Sequence, residues 1–339
     1  MKFTGNPELL YIWGDNIPGN TGKSKTDVMI FDNTITFEDA FTKYPGIWDK
    51  STPELGDMRG NDFLVRTEEM QQGYAEDTYS DKPFLAPFLV DDSDQAVIIC
   101  PGGAYLTKSV LNEGEEVARF LNEAGISAFV LWYRSYPYKA PLEYLDCQRA
   151  VRYVRYHAER FGIDPNKIST VGFSAGGNLA AVEALCFRNE AVDYPGYEPD
   201  EIDAVDGSVN AMALIYPAIS LKDDKIVVVL GGADVYTDEV KRNAFSDKYE
   251  LCSRVREGDS PAFLCACLDD DVVPPAFLMD FAKTLQGKGV SFELHMFPYG
   301  GHGFGACKPQ IIPGIPMADL SACRQWMDLY VQWLKTVYK

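Results

Sequence analysis

The chain is short of three things. Of its 339 residues only three are histidine, so chemistry that needs an imidazole has three candidates. Basic residues are scarce: 31 Lys and Arg stand against 50 Asp and Glu, a formal net charge of −19. A surface this acidic repels nucleic acid and anionic membranes, and weighs against a polyanionic substrate. Long apolar runs are missing too; none reaches the roughly 18 residues that a membrane helix needs. The opening "MKFTGNPELLYIWGDN" has no apolar stretch of the kind a signal peptide carries. The expectation is a reduced cytoplasmic protein that binds neither nucleic acid nor membrane.

Cysteine is present but dilute. Eight residues, among them Cys100, Cys147, Cys265 and Cys267, are spread along the chain, and several lie in apolar runs such as "AVIIC" and "FLCAC". They read as small core residues, not as the disulfide framework of a small secreted scaffold. Cys265 and Cys267 lack a second Cys/His pair at zinc spacing, so no metal site is expected. A composition of 46% hydrophobic and 24% charged residues suits a globular protein.

From about residue 96 short apolar runs alternate with longer amphipathic ones. Strands are expected at 96–100, 126–132, 167–173, 211–217, 261–268 and 291–297. Helices are expected at 113–124, 141–161, 174–187, 276–286 and 318–337, the last carrying Trp326, Leu329, Tyr330, Trp333, Leu334 and Val337 on one face. Continuously apolar strands alternating with helices specify an α/β fold with a mostly parallel sheet covered on both sides. The loops at the strand C-terminal ends then share one edge, where sites occur. Residues 1–75 break this rhythm and read as an N-terminal extension, with Trp13 and Trp48 among its aromatics. The catalytic domain would span 76–339, with cap-like insertions at about 188–210 and 218–260. Within the second, "KIVVVLGG" (225–232) fits either a further strand or part of a cap. The extension is expected to pack on the core or cap, near the site or at a subunit contact of a homo-oligomer.

"VGFSAGGN" (171–178) has the order strand, G-x-S-x-G, helix. That is the context of a nucleophile elbow, in which flanking glycines let Ser174 adopt a strained turn at a helix N-terminus. A serine nucleophile needs a base. His157 sits in a helical stretch, "RYVRYHAERFG", and His295 inside a strand, "SFELHMF"; both read as structural. His302, in "PYGGHGFG", follows a strand in a glycine-rich loop that can carry an imidazole to the sheet edge. An acid to orient it is available at Asp269, Asp270 or Asp271, at the end of the strand before. The order Ser, Asp, His is that of the α/β-hydrolases, not of chymotrypsin or subtilisin. "CPGGAY" (100–105), after the first core strand, offers glycine backbone for an oxyanion hole, with the N–H of Ala175 as a further donor.

Together, "VIICPGGAY", "FVLWYR", "DCQRAVRYVR", "FGIDPNKISTVGFSAGGNLAA", "LIYPAIS", "DDDVVP" and "GGHGFG" resemble the α/β-hydrolase superfamily. More narrowly they are similar to its acetyl esterase/lipase branch, which includes bacterial hemicellulose-type acetyl and feruloyl esterases. The resemblance covers about residues 76–339. It implies Ser174 as nucleophile, His302 as base, Asp270 as the acid four residues before Pro274, and Gly103, Ala104 and Ala175 as oxyanion donors. It gives Asp146, Arg149 and Arg134 supporting roles. It implies no metal or organic cofactor, and a small-molecule or oligosaccharide ester as substrate, acetyl esters first. Two positions depart from the pattern: "PGGAY" stands for PGGGY and "SAGGN" for SAGGH. An amidase, formamidase or peptidase would share this triad, and a non-catalytic binding module is the rival of another class.

Overall fold

The apolar runs "AVIIC", "SAFVLW", "ISTVGF", "AMALI" and "AFLCAC" are buried along their whole length, as strands covered on both faces must be. The computed structural model describes residues 8–20, 30–31, 64–65, 82–105, 108–135, 138–221, 226–308 and 319–339. Trp48 and most of the N-terminal extension lie outside the described residues.

An eight-stranded sheet has the order β1-β4-β6-β5-β7-β8-β9-β10. Its strands are β1 (Leu10–Tyr11), β4 (Phe84–Phe88), β5 (Ala96–Cys100), β6 (Ser127–Trp132), β7 (Ile168–Phe173), β8 (Ala211–Ile215), β9 (Ala262–Cys267) and β10 (Phe292–Phe297). From β6 to β10 every pairing is parallel, whereas β1 on β4 and β4 on β6 are antiparallel. Two short strands, β2 (Ile30–Phe31) and β3 (Leu64–Val65), pair with each other. The sequence pattern misses β4, "FLAPF", because Pro87 cannot donate to a ladder and so argues against a strand. Next to the two-residue β1 it is tolerated.

The helices are α1 (Glu116–Glu123), α2 (Leu142–Tyr156), α3 (Ala158–Phe161), α4 (Ala175–Val182), α5 (Ile226–Gly231), α6 (Ala233–Tyr236), α7 (Glu239–Lys248), α8 (Leu251–Arg254), α9 (Pro275–Gly287) and α10 (Trp326–Val337). A π-type turn, Leu111–Glu115, precedes α1, and another, Glu183–Phe187, extends α4. The helix expected over 141–161 is broken at His157, which ends α2 and packs at a tilt against Tyr153 at 4.5 Å. The final helix begins only at Trp326. Its aromatics pack on the sheet, with Phe173–Trp326 at 5.7 Å and Phe263–Tyr330 at 5.4 Å. Within "KIVVVLGG", Ile226–Gly231 form helix α5, with Val227 and Leu230 buried. It opens a run of four short helices, α5 to α8. Leu230 accepts from the N–H of Ala140, and Tyr249 packs on Tyr144 at 4.9 Å, so this run lies against the start of α2. Among the described residues no helix is long and apolar enough to cross a membrane.

One face of α2 is unusual, because it buries charge. Asp146, Gln148, Arg149 and Arg152 are at most 1% exposed, as is Arg134 just after β6. Asp146 Oδ1 accepts from Trp13 Nε1 at 2.8 Å and Arg134 Nη2 at 2.7 Å, and Oδ2 from the N–H and Nε of Arg134 at 2.8 and 2.9 Å. Arg134 also donates to the carbonyl of Pro18. Arg149 donates to the carbonyl of Ile12 at 2.7 Å and to Asp200 and Asp203 at 2.6 and 2.8 Å. Gln148 and Arg152 donate to the carbonyl of Glu190 at 2.9 and 2.8 Å. Residues 8–20 are thus bonded to α2 and Arg134. They share α2 with the insertion at 188–210, where Trp13 meets Tyr197 edge-on at 5.5 Å. A buried ion pair that loses one member strands the other, at about 3–5 kcal/mol. Asp146→Asn should therefore lower unfolding free energy by about that much, read by chemical denaturation.

Candidate active site

The carboxyl ends of β5, β7, β8, β9 and β10 converge on one edge, and the residues singled out in the sequence meet there. Ser174, between β7 and α4, has φ 50° and ψ −116°, a conformation unfavourable for a side chain. Its N–H donates to the carbonyl of Ile215 at 3.0 Å, which fixes the turn to β8. A Cβ added at Gly176 would stand 2.0 Å from the carbonyl oxygen of Cys100, so only glycine lets α4 approach β5 this closely.

Ser174 Oγ lies 2.8 Å from His302 Nε2, and His302 Nδ1 lies 2.8 Å from Asp270 Oδ2. A carboxylate can only accept, so Nδ1 carries the proton toward Asp270 and Nε2 is left to accept from the serine hydroxyl. Asp270 Oδ1 accepts from the N–H groups of Val272 and Val273 at 3.0 and 2.9 Å. Its side chain is 1% exposed, that of His302 16%. Neither other histidine comes near: His295 pairs with Glu293 at 2.7 Å on β10, and His157 stays beside α2.

Asp269, the exposed neighbour of Asp270, has a structural part of its own. Its carboxylate accepts from the N–H groups of Gly300 and Gly301 at 3.2 and 2.9 Å, anchoring the loop that carries His302. Gly300, at φ 142°, threads between two thiols; a Cβ there would meet the sulfurs of Cys267 and Cys323 at 2.7 and 2.8 Å.

Gly103, Ala104 and Tyr105 run at φ 130°, 54° and 59°, three positive values in succession. Among the described residues, the N–H groups of Gly103, Ala104 and Ala175 meet no acceptor. Gly102, the other glycine considered for this loop, has its N–H committed to Glu113 Oε2 at 2.7 Å. Asn178 supports the loop from behind. Its Oδ1 accepts from Tyr105 Oη at 2.8 Å and Tyr144 Oη at 3.2 Å, and its Nδ2 donates to the carbonyl of Ala218 at 2.9 Å. Further supports had no sequence signal: Glu113 and Asn112 sit in an ordinary acidic stretch, and Tyr216 in an apolar one.

Beneath this loop are two buried ionisable groups of opposite sign. Burial pushes Lys108 down to about 7, against the pull of Asp146 and Glu143. Burial likewise pushes Glu143 up to about 8, and neither of its carboxyl oxygens has a hydrogen-bond partner. Between the ordinary carboxylate range and about 8, the unfolded chain ionises Glu143 while the folded chain keeps it protonated. Stability is then lost as pH rises through that window. The melting temperature should fall from pH 5 to 7, where Lys108 does not yet oppose the trend, and Glu143→Gln should flatten that slope in a thermal-melt series.

A parallel sheet with a serine on a strained strand–helix turn, facing an imidazole and a carboxylate from later strand ends, defines an α/β-hydrolase. Residues 86–285 match the BD-FAE family model, and the chain belongs to that family. It is 30% identical over 275 residues to endo-1,4-beta-xylanase B of Butyrivibrio fibrisolvens, covering 78% of this chain and 40% of that protein. It is 28% identical to the acetylxylan esterase of Xylanibacter ruminicola, over 63% of this chain and 42% of that one. The chain thus spans about two fifths of the length of these curated relatives. Among solved structures, an acetyl ester-xyloside bifunctional hydrolase from Caldicellulosiruptor lactoaceticus is 34% identical. It aligns over 76% of this chain and 88% of that one, with a TM-score of 0.65.

Proposed function

We propose that this protein is a serine carboxylesterase that removes small acyl groups, acetyl first, from an oligosaccharide or similar alcohol. The observation that carries the reading is the unbroken hydrogen-bonded chain Ser174–His302–Asp270 beside three N–H groups that meet no acceptor among the described residues. Support for the ester class and the acetyl group comes from relatives described as an acetylxylan esterase and an acetyl ester-xyloside hydrolase.

In this mechanism Ser174 Oγ attacks the ester carbonyl carbon while its proton passes to His302 Nε2. Asp270 holds the other ring nitrogen and stabilises the imidazolium. The carbonyl oxygen, now negative, accepts from Gly103, Ala104 and Ala175, each such donor lowering the barrier by about 3 kcal/mol. Breaking the carbon–oxygen bond releases the alcohol, which takes the proton from His302. Water then repeats the two steps on the acyl-enzyme and frees the carboxylic acid and Ser174. Every group used belongs to the chain itself.

Hydrolysis of p-nitrophenyl acetate and acetylated xylo-oligosaccharides, with acetanilide beside them, tests the reading. The esters should turn over faster than the amide. Ser174→Ala should lose about 10⁴-fold or more in kcat and all labelling by a fluorophosphonate. Faster amide turnover would replace the esterase reading by an amidase. A wild-type chain that neither hydrolyses nor takes the probe would remove the catalytic reading altogether.

A further inference from the structure

Three loops that supply the site come from different strands, yet one buried carboxyl joins them. Glu113, in the turn before α1, is buried. Its Oε2 accepts from the N–H of Gly102, in the oxyanion loop, at 2.7 Å. Its Oε1 accepts from Tyr216 Oη at 2.8 Å, and that hydroxyl in turn accepts from the N–H of Gly305, in the loop of His302, at 2.9 Å. The ring of Tyr216 packs edge-on against His302 at 4.9 Å and Phe304 at 4.5 Å. The neighbouring Asn112 holds the same loop, through the carbonyl of Gly303 at 3.1 Å and the N–H of Ala306 at 3.1 Å.

The donor count fixes the charge on this group. Gly102, Tyr216 and Gly305 bring three donor hydrogens, and Glu113 and Tyr216 bring the oxygens that take them. With a carboxylate every hydrogen has an acceptor. A protonated carboxyl would add a fourth hydrogen and leave one without a place. Burial works the other way and favours the neutral acid, while the bonds from Tyr216 and Gly102 and the proximity of His302 favour the carboxylate. The titratable groups that face Glu113 are Tyr216 from the β8 loop, Tyr133 from the β6 loop and His302 from the β10 loop. Those that face His302 are Asp270, Ser174, Tyr216 and Glu113.

We infer that Glu113, acting through Tyr216, is a positioning residue for the proposed esterase chemistry: it locks the oxyanion loop and the His302 loop in register and adds a second negative charge behind the imidazole. This rests on the serine esterase reading above. Without Glu113 the N–H of Gly102 and the hydroxyl of Tyr216 lose their acceptor, and the two loops lose their only shared side-chain tie among the described residues. Both effects act on the transition state, where the oxyanion and imidazolium exist together, more than on the bound ester.

The test uses the full chain with p-nitrophenyl acetate from pH 5 to 9, for wild type, Glu113→Gln, Tyr216→Phe and the double variant. Glu113→Gln should lower kcat by about 10- to 100-fold with KM within about twofold, as for loss of support to an oxyanion donor. Loss of a buried negative neighbour disfavours the imidazolium, so the acidic limb of kcat/KM should move to lower pH by roughly half a unit. The double variant should fall no further than the worse single one, because both break one chain of bonds. Wild-type kcat in Glu113→Gln, an unmoved acidic limb, or effects that multiply in the double variant would each overturn the inference. If Glu113→Gln gives no cooperative melt, Tyr216→Phe decides: it keeps the ring packing, and unchanged kcat in the folded variant overturns the proposal. A wild type inert to ester and fluorophosphonate alike marks failure of the esterase reading itself, separate from all of these.

Discussion

The approach of α4 to the end of β5 is the constraint on which the site depends. Where a Cβ at Gly176 would be 2.0 Å from the Cys100 carbonyl, helix and strand touch backbone to backbone. That closeness turns Ser174 outward at φ 50° and brings the N–H of Ala175 beside the loop of Gly103 and Ala104. The proposed nucleophile and the proposed oxyanion donors thus share one junction, the arrangement by which preorganised sites avoid rearrangement during reaction. The strain at Ser174 is held by backbone bonds on both sides: its N–H to Ile215, and its carbonyl taken by the N–H groups of Asn178 and Ala218.

A second theme is the use of buried polar side chains to pin irregular backbone. Gln148 spends its amide on loop carbonyls, Arg134, Arg149 and Arg152 divide their donors between loop carbonyls and side-chain oxygens, and Asp146 fills all its accepting positions. Loops that run over a protein surface leave polar groups to water. Here the segments at 8–20 and 188–210 are held by guanidinium groups that would be costly to bury alone. On the opposite side of the junction, Asn178 does the same work with an amide. One side chain with two donors and one accepting oxygen satisfies two tyrosines and a carbonyl.

What could be read in the sequence divides along a physical line. The buried parallel strands and α4 carry their signal in local periodicity and fall within a few residues of expectation, whereas the helix expected over 141–161 breaks at His157 and the last one starts only at Trp326. Ser174, His302 and Asp270 were legible because glycine context and chain order restrict them, and the structure brings the three together. Glu113, Tyr216 and Asp269 were not, because their meaning lies wholly in partners from distant strands. A glutamate in "LNEGEE" looks like a solvated helix face until the turn before α1 buries it. The strand β4 was hidden by Pro87, and helix α5 by a run of β-branched valines that burial against α2 overrides.

The bonds of residues 8–20 to α2 and Arg134 also order events in time. Trp13 and Asp146 are separated by 133 positions, Ile12 and Arg149 by 137, and Pro18 and Arg134 by 116. In a chain made from its N-terminus, this segment emerges long before the helix that receives it, and it stays unpartnered until β6 and α2 exist. Bringing such distant pieces together costs loop-closure entropy that no local contact offsets. The N-terminal segment therefore acts as a late clasp. It can seal its edge of the sheet only once β6 and α2 are in place to receive it.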